Sequence, residues 1–175
     1  IQEFIKGSQS TFFMSEAQRK IYEDELPETA KANTHILSSL FDDDFFARIN
    51  LLNEKYESEP RDNKWIVLGS NSWVKGALQS ENWCKENDLE HEVIFGVEYD
   101  QFLKQLAQAK GLCAMPTGYD TCPRLVIEAK LLGCALQTNE NVQHRDEEWF
   151  NKSNDEIIKY LKTRKDYFWM HAFNG

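Results

Sequence analysis

Short apolar runs alternate along the chain with longer amphipathic stretches, a pattern typical of strands followed by helices. The runs that predict strands are Thr11–Met14, Thr34–Leu37, Trp65–Leu68, Glu92–Phe95, Gly111–Met115 and Ala135–Gln137. The stretches that predict helices are Ser15–Leu26, Asp43–Glu57, Trp73–Asn87, Tyr99–Lys110 and Pro123–Leu132. Strands that alternate with helices of this length form βαβ units, so we expect an α/β fold with a doubly wound parallel sheet.

Local sequence signals support some of these boundaries and describe the C-terminal part of the chain. Ser15 followed by Gln18 matches a capping box, in which each residue satisfies a backbone N–H near the start of a helix. Pro123 suits the first turn of a helix, where its missing N–H costs nothing. After the last predicted strand, the pattern predicts two or three helices over Asp146–Phe150, Asn154–Arg164 and Asp166–Ala172.

The composition narrows the class of protein. The 175 residues carry 20 basic and 29 acidic side chains, a net charge of −9, which argues against a partner with a phosphate backbone or an anionic membrane surface. No apolar run approaches the ~18 residues of a membrane span. We therefore predict no integral membrane segment. The four cysteines form no CxxC pair and no evident disulfide framework, so we predict a reducing, cytoplasmic setting. Because the chain opens on Ile1, we expect it to be part of a longer protein.

Two cations stand where predicted helices begin. Ligands of an open parallel sheet bind at the carboxyl ends of its strands, so the junctions Leu68–Gly76, Phe95–Tyr99 and Pro116–Arg124 are the candidate site. Lys75 and Arg124 lie in the first turns of the helices, where a cation is unfavourable by ~0.3–1 kcal/mol. A phosphate or diphosphate between the two helix starts reverses that effect. The alternative is that each cation pairs with a surface carboxylate.

Two acids accompany the third junction. Asp120 precedes the predicted helix, and Glu128 lies one turn after Arg124, which places both near the expected cleft. A carboxylate can accept two hydrogen bonds from a diol, so this pair suits sugar or ribose hydroxyls. In the alternative, Asp120 caps the helix and Arg124 forms an ion pair with Glu128. The positions expected to pack on the sheet are Leu125, Ala129 and Leu132.

The segment from Pro116 to Gly133, PTGYDTCPRLVIEAKLLG, resembles the donor-site signature of retaining GT-B glycosyltransferases of the Glu-x7-Glu type. In these enzymes an acidic residue stands eight positions before a helical glutamate that is followed by alanine, and Asp120 and Glu128 match those positions. The upstream order is also similar, with a glycine at a strand end, then Lys75-Gly76, then Phe95-Gly96. The resemblance covers residues 62–145, with a looser match near the N-terminus.

The resemblance implies a Rossmann-like parallel sheet with helices on both faces, the C-terminal half of a GT-B fold. Residues 1–175 are then a single donor-binding domain, in which residues 1–46 resemble the connection from an N-terminal acceptor domain. The implied activity is hexosyl transfer, with retention, from a nucleotide-diphosphate sugar to a glycan, as in polysaccharide biosynthesis. It requires no metal or other cofactor and no nucleic acid. Without an acceptor domain, the chain is expected to bind a donor better than it transfers one.

The resemblance also assigns roles to residues. Glu128 binds the ribose hydroxyls and Asp120 contacts the transferred sugar, so these are the predicted catalytic residues. Lys75 neutralises the diphosphate, helped by backbone N–H groups around Thr121. The other predicted donor-binding residues are Gly69, Ser70, Val97, Tyr99, Gly118, Tyr119 and Arg124, with Val97 and Tyr99 beside the base. Two positions depart from the family pattern, because Asp120 is one methylene shorter than glutamate and Ser70 stands where an arginine is usual.

Other functional classes fit the sequence less well. The Asp42-Asp43-Asp44 triplet invites a metal-binding interpretation, but Phe41 and Phe45 flank it at the start of an amphipathic helix, where acids are favoured. No GxGxxG motif follows a predicted strand, which argues against a dinucleotide-dependent dehydrogenase. The main alternative from a different class is a non-catalytic Rossmann-like module that mediates assembly.

Overall fold

The computed structural model describes residues 1–121 and 123–173, without the side chains of Gln2 and Ala30. Cys122 lies outside the described residues. Two compact units make up the chain: one contains Asp43–Val142, and the other contains Ile1–Asp42 together with the residues from Gln143 onward. Parallel sheets flanked by helices confirm the predicted α/β class.

The strands begin and end within one residue of the predicted bounds. They are β1 (Thr11–Phe13), β2 (Thr34–Ile36), β3 (Trp65–Leu68), β4 (His91–Ile94), β5 (Gly111–Ala114) and β6 (Ala135–Thr138). The helices are α1 (Gln2–Gly7), α2 (Glu16–Glu25), α3 (Asp43–Tyr56), α4 (Ala77–Glu86), α5 (Tyr99–Gln108), α6 (Arg124–Leu131), α7 (Asn154–Lys162) and α8 (Arg164–Phe173). Within the described residues, no helix is long and apolar enough to cross a membrane.

Two predicted helices need correction, and one helix was not predicted. The stretch Trp73–Asn87 is not one helix, because a 3-10 turn over Trp73–Lys75 ends at Gly76, whose left-handed backbone separates it from α4. Residues 146–150 do not form a helix either, and a 3-10 turn over Trp149–Asn151 occupies part of that region. Helix α1 was not predicted, because its six residues are too few to show a helical period.

The Asp43–Val142 unit contains a four-stranded parallel sheet in the order β4-β3-β5-β6. Its register aligns Trp65 of β3 with His91 of β4 and with Gly111 of β5. Helix α4 packs against β3, β4 and β5, whereas α6 packs against β5 and β6 and also contacts α5. Because parallel crossovers are right-handed, α4 covers one face of the sheet and α5 and α6 cover the other. The core between these layers includes Val67, Leu103, Leu106, Leu112 and Ile127, which are almost fully buried.

The other unit contains β1 and β2 as a two-stranded parallel sheet, with α1, α2, α7 and α8. At the start of α2, Ser15 Oγ accepts a hydrogen bond from the N–H of Gln18 at 3.0 Å, as predicted. The Gln18 side chain accepts from the N–H of Met14 at 2.7 Å, one residue earlier than in a standard capping box. A complete capping box, formed by Ser153 and Glu156, begins α7.

Candidate functional site

The strand order reverses between β3 and β5, and the predicted site residues follow these two strands. From β3 the chain moves outward to β4, whereas from β5 it moves in the opposite direction to β6. Such a reversal leaves a crevice at the carboxyl ends of the two central strands, where ligands of open α/β sheets bind. The loop after β3 carries Lys75, and the loop after β5 carries Asp120, so both reach this crevice from neighbouring strands.

Lys75 and Asp120 form an ion pair in this crevice. The Lys75 Nζ donates to Asp120 Oδ2 at 2.8 Å, and the two side chains are 38% and 13% exposed. Lys75 is the last residue of the 3-10 turn and precedes Gly76, the N-cap of α4. It therefore lies before α4 and not in its first turn, where we expected it. Asp120 pairs with this lysine and does not cap α6, which follows Pro123 without a side-chain cap. The pairing joins the two cleft loops through opposite charges.

A close backbone approach holds the loop after β3 against the end of β5. Gly76 has φ +62°, and a Cβ at this position would lie 1.9 Å from the carbonyl oxygen of Met115. The buried Ser80 links the same two segments, because its Oγ donates to the Gly76 carbonyl and accepts from the Met115 N–H, both at 2.9 Å. Sequence reasoning missed Ser80, since a serine within a helix carries no signal of a long-range partner.

Residues that follow β6 fix the backbone around Asp120. The Asp120 N–H donates to the Asn141 carbonyl at 2.8 Å. The side-chain amides of Asn139 and Asn141 both donate to the Pro116 carbonyl at 2.9 Å. These asparagines were not among the predicted site residues, although two asparagines directly after a strand are a turn signal. They attach the loop after β5 to the segment after β6, the neighbour of β5 on the side away from β3.

Glu128 is buried on α6 and receives a hydrogen bond from a residue after β4. Only 5% of Glu128 is exposed, and the Tyr99 hydroxyl donates to its Oε1 at 2.9 Å. Burial raises the pKa of Glu128, while the Tyr99 hydrogen bond and the charge of Arg124 partly oppose the rise. Burial and the nearby Glu128 carboxylate raise the pKa of Tyr99 well above its usual range, so the hydroxyl stays protonated and donates.

Two adjoining cavities contain most of these side chains. The first, of about 190 Å³, is lined by Lys75, Asp120 and Arg124, among others. The second, of about 280 Å³, is lined by Gly96, Val97, Tyr99 and Glu128, among others. Leu68 and Leu125 line both cavities, which places them side by side. Leu125, which we predicted to pack on the sheet, is half-buried at this place.

The remaining predicted residues lie around these cavities and do not belong to their described lining. Gly69 directly follows β3, and its N–H donates to the Ile94 carbonyl at 2.8 Å. The Ser70 Oγ accepts from the N–H of Ser72. Gly118 lies against the Trp73 indole, Tyr119 is exposed, and Thr121 is half-buried in the loop before α6. The structure thus brings together Lys75, Asp120 and Arg124, and separately Val97, Tyr99 and Glu128.

The chemistry of the two cavities differs. Lys75, Arg124 and the start of α6 line the first cavity, an arrangement that favours a phosphate anion. A buried carboxylate beside apolar side chains occupies the second and can accept hydrogen bonds from hydroxyl groups. Among the described residues, no group of three or more His, Cys, Asp or Glu side chains could hold a metal ion. No protein-family model matches the chain, and no curated protein sequence matches it significantly.

Proposed function

We propose that the chain is the Rossmann-like, donor-binding half of a retaining GT-B glycosyltransferase. The enzyme transfers a sugar from a nucleotide-diphosphate sugar to a glycan acceptor. The observation that carries this proposal is the pair of adjoining cavities at the sheet's reversal point, one with Lys75 and Arg124 and the other with the buried Glu128. The chemical groups of a nucleotide-diphosphate sugar follow in the same order, since its diphosphate lies next to a ribose diol and an aromatic base.

Each part of the donor has a matching group. The diphosphate lies in the first cavity, where Lys75 and Arg124 neutralise its charge. The ribose hydroxyls donate to Glu128, whose second oxygen remains available beside the one that Tyr99 occupies. The base fits the apolar part of the second cavity, against Val97 and the Tyr99 ring. The transferred sugar extends from the diphosphate towards Asp120.

The transfer breaks the bond between the anomeric carbon and the diphosphate oxygen, and the electron pair leaves with the nucleoside diphosphate. The acceptor hydroxyl oxygen forms the new bond to the anomeric carbon, and its proton passes to the departing diphosphate. Lys75 and Arg124 stabilise the negative charge that develops on the leaving oxygen. Asp120 orients the sugar through its hydroxyls.

The ion pair between Lys75 and Asp120 makes opposite predictions for the two residues. In the free protein the Lys75 ammonium is paired with the Asp120 carboxylate at 2.8 Å, so a diphosphate must replace Asp120 as the partner of Lys75. Lys75→Met should therefore lower the affinity for a nucleoside diphosphate by roughly tenfold or more, the loss of a charged hydrogen bond. Asp120→Asn should raise that affinity by roughly two- to fivefold. The substitution removes the partly exposed ion pair that competes for Lys75, and it removes a negative charge that repels the diphosphate. Isothermal titration with UDP, GDP and ADP measures both effects.

A matched control is available in the same unit. Lys64, which precedes β3, and Glu92 of β4 also form an exposed lysine–carboxylate pair, at 3.8 Å, and neither residue is in the described lining of the two cavities. Lys64→Met and Glu92→Gln should leave the affinity unchanged. Failure of all three nucleotides to bind at millimolar concentration would refute the proposal and favour a non-catalytic interaction module. Equal affinity of Lys75→Met and the wild type would refute the role of Lys75.

A further inference from the structure

An exposed indole stands beside the proposed donor site. Trp73 is 74% exposed, although tryptophan is among the most buried side chains on average. It begins the same 3-10 turn that ends at Lys75. The Thr117 Oγ1 donates to the Trp73 carbonyl at 2.6 Å, and the Thr117 N–H donates to the Val74 carbonyl at 3.0 Å. The backbone below the ring is therefore fixed to the loop that carries Asp120.

The ring itself also lies against that loop. A Cβ on Gly118 would be 3.2 Å from Trp73 Cη2, so the glycine lets the indole rest on the backbone two residues before Asp120. An aromatic side chain held in this way loses little rotamer freedom when it binds a ligand. Trp73 thus presents a flat apolar surface beside the loop that carries Asp120.

A cavity of about 470 Å³ lies beside this ring, within the size range of small-molecule sites. Its hydrogen-bonding side chains are Ser70, Asn71, Ser72, Gln79 and Thr117. None of the eight described residues that line it is charged, in a chain of which 28% is charged. The rest of the lining is apolar and consists of the Trp73 ring, Ala77 and the exposed Leu78. An uncharged lining of this mixed kind fits a neutral ligand with an apolar face and hydroxyl groups at its edges.

We propose that Trp73 and the adjoining cavity bind a pyranose ring of the acceptor saccharide. One face of a pyranose carries mainly C–H groups, which the negative face of the indole attracts, while the hydroxyls reach the edge amides and hydroxyls of Asn71, Gln79 and Ser70. A protein partner fits less well, because protein interfaces are depleted in serine around their aromatic anchors. The acceptor role rests on the proposed function, whereas the sugar binding does not.

Saturation-transfer NMR on the full chain tests this site. The probes are methyl α-D-glucopyranoside, methyl α-D-mannopyranoside and methyl α-D-galactopyranoside, each at millimolar concentration. We expect at least one probe to receive saturation at its ring C–H protons, and Trp73→Ala to abolish the signal. Trp169→Ala is the matched control, since it removes an exposed indole that does not line this cavity, and should retain the signal. Amide spectra of both variants should match the wild type away from the substitution.

Three outcomes overturn the inference. The first is no saturation of any probe by the wild type, and the second is an undiminished signal from Trp73→Ala. The third is self-association of the wild type that Trp73→Ala abolishes without any pyranoside signal, which would assign the ring to an interface between copies. UDP, GDP and ADP titrations of the same samples separate the two proposals. Nucleotide binding without pyranoside binding removes only this inference, and pyranoside binding without nucleotide binding removes the proposed function and the acceptor role.

Discussion

Replacing Glu128 with alanine is expected to lower the affinity for a nucleoside diphosphate by roughly ten- to hundredfold, the cost of losing charged hydrogen bonds. Glu128 is 5% exposed, and the Tyr99 hydroxyl donates to its Oε1. In the proposed site, a ribose diol would meet an acceptor that is already oriented and partly desolvated, which strengthens the hydrogen bonds it forms. Glu128→Gln keeps the shape and one acceptor oxygen, so its effect should lie between those of the wild type and Glu128→Ala.

Glu128→Gln, which should weaken nucleotide binding, should increase the stability of the folded protein at neutral pH. Burial raises the pKa of Glu128, so the folded state binds a proton more readily than the unfolded state. The wild type therefore loses stability as the pH rises from the ordinary glutamate range, about 4.3, through the raised pKa. Glu128→Gln carries no such charge. Its free energy of unfolding should exceed that of the wild type at pH 7. The difference should shrink as the pH falls through the raised pKa towards the ordinary range and should then stay constant.

Calorimetric titration and urea unfolding on the same proteins check both effects. Glu86→Ala is a suitable control, because this exposed glutamate at the end of α4 lines neither donor cavity. It should leave nucleotide affinity unchanged. Wild-type nucleotide affinity in Glu128→Ala would contradict the ribose assignment. A pH-independent difference in unfolding free energy between Glu128→Gln and the wild type would contradict the raised pKa.

Gly76→Ala should destabilise the protein by roughly 2–5 kcal/mol, the sum of a left-handed backbone penalty and overpacking. Its Cβ would lie 1.9 Å from the Met115 carbonyl oxygen, and a backbone atom cannot move aside as a side chain can. Relief of this overlap requires separation of the loop after β3 from the end of β5. Because Lys75 directly precedes Gly76, the substitution should also weaken its pairing with Asp120 and the affinity for diphosphate.

A comparison with Gly96→Ala separates the backbone penalty from the overlap with Met115. It has φ +68°, but a Cβ there would meet nothing within 4 Å, so Gly96→Ala carries the backbone penalty alone. We expect it to cost roughly 1–2 kcal/mol in urea unfolding, clearly less than Gly76→Ala. Equal free energies of unfolding for the two variants would show that the approach to Met115 contributes nothing.

Sequence patterns predict the strands of this protein well, and the contacts between its loops poorly. Runs such as Trp65–Leu68 identify β3 because a central parallel strand is buried on both faces and is apolar throughout. The general place of the site follows in turn, since Lys75 and Asp120 come after predicted strands. Their ion pair does not follow, because it joins residues 45 positions apart in sequence, and only the strand order decides that β3 and β5 are neighbours.

The division of the predicted helix at Gly76 illustrates the same limit. A glycine within an amphipathic stretch is tolerated in many helices, and the approach of Met115 that requires it here is visible only in the tertiary structure. The exposure of Trp73 was likewise hidden, since an aromatic residue at helical spacing normally predicts a core position.

The most direct test of the account follows backbone amide resonances while a nucleoside diphosphate is added to the full chain. Binding at the proposed site should shift the amides of the three loops that follow β3, β4 and β5, with the largest changes near Lys75, Gly96, Asp120 and Arg124. The amides of α7 and α8 should remain unchanged. Shifts centred outside these three loops, or no shifts with UDP, GDP or ADP at millimolar concentration, would contradict the account.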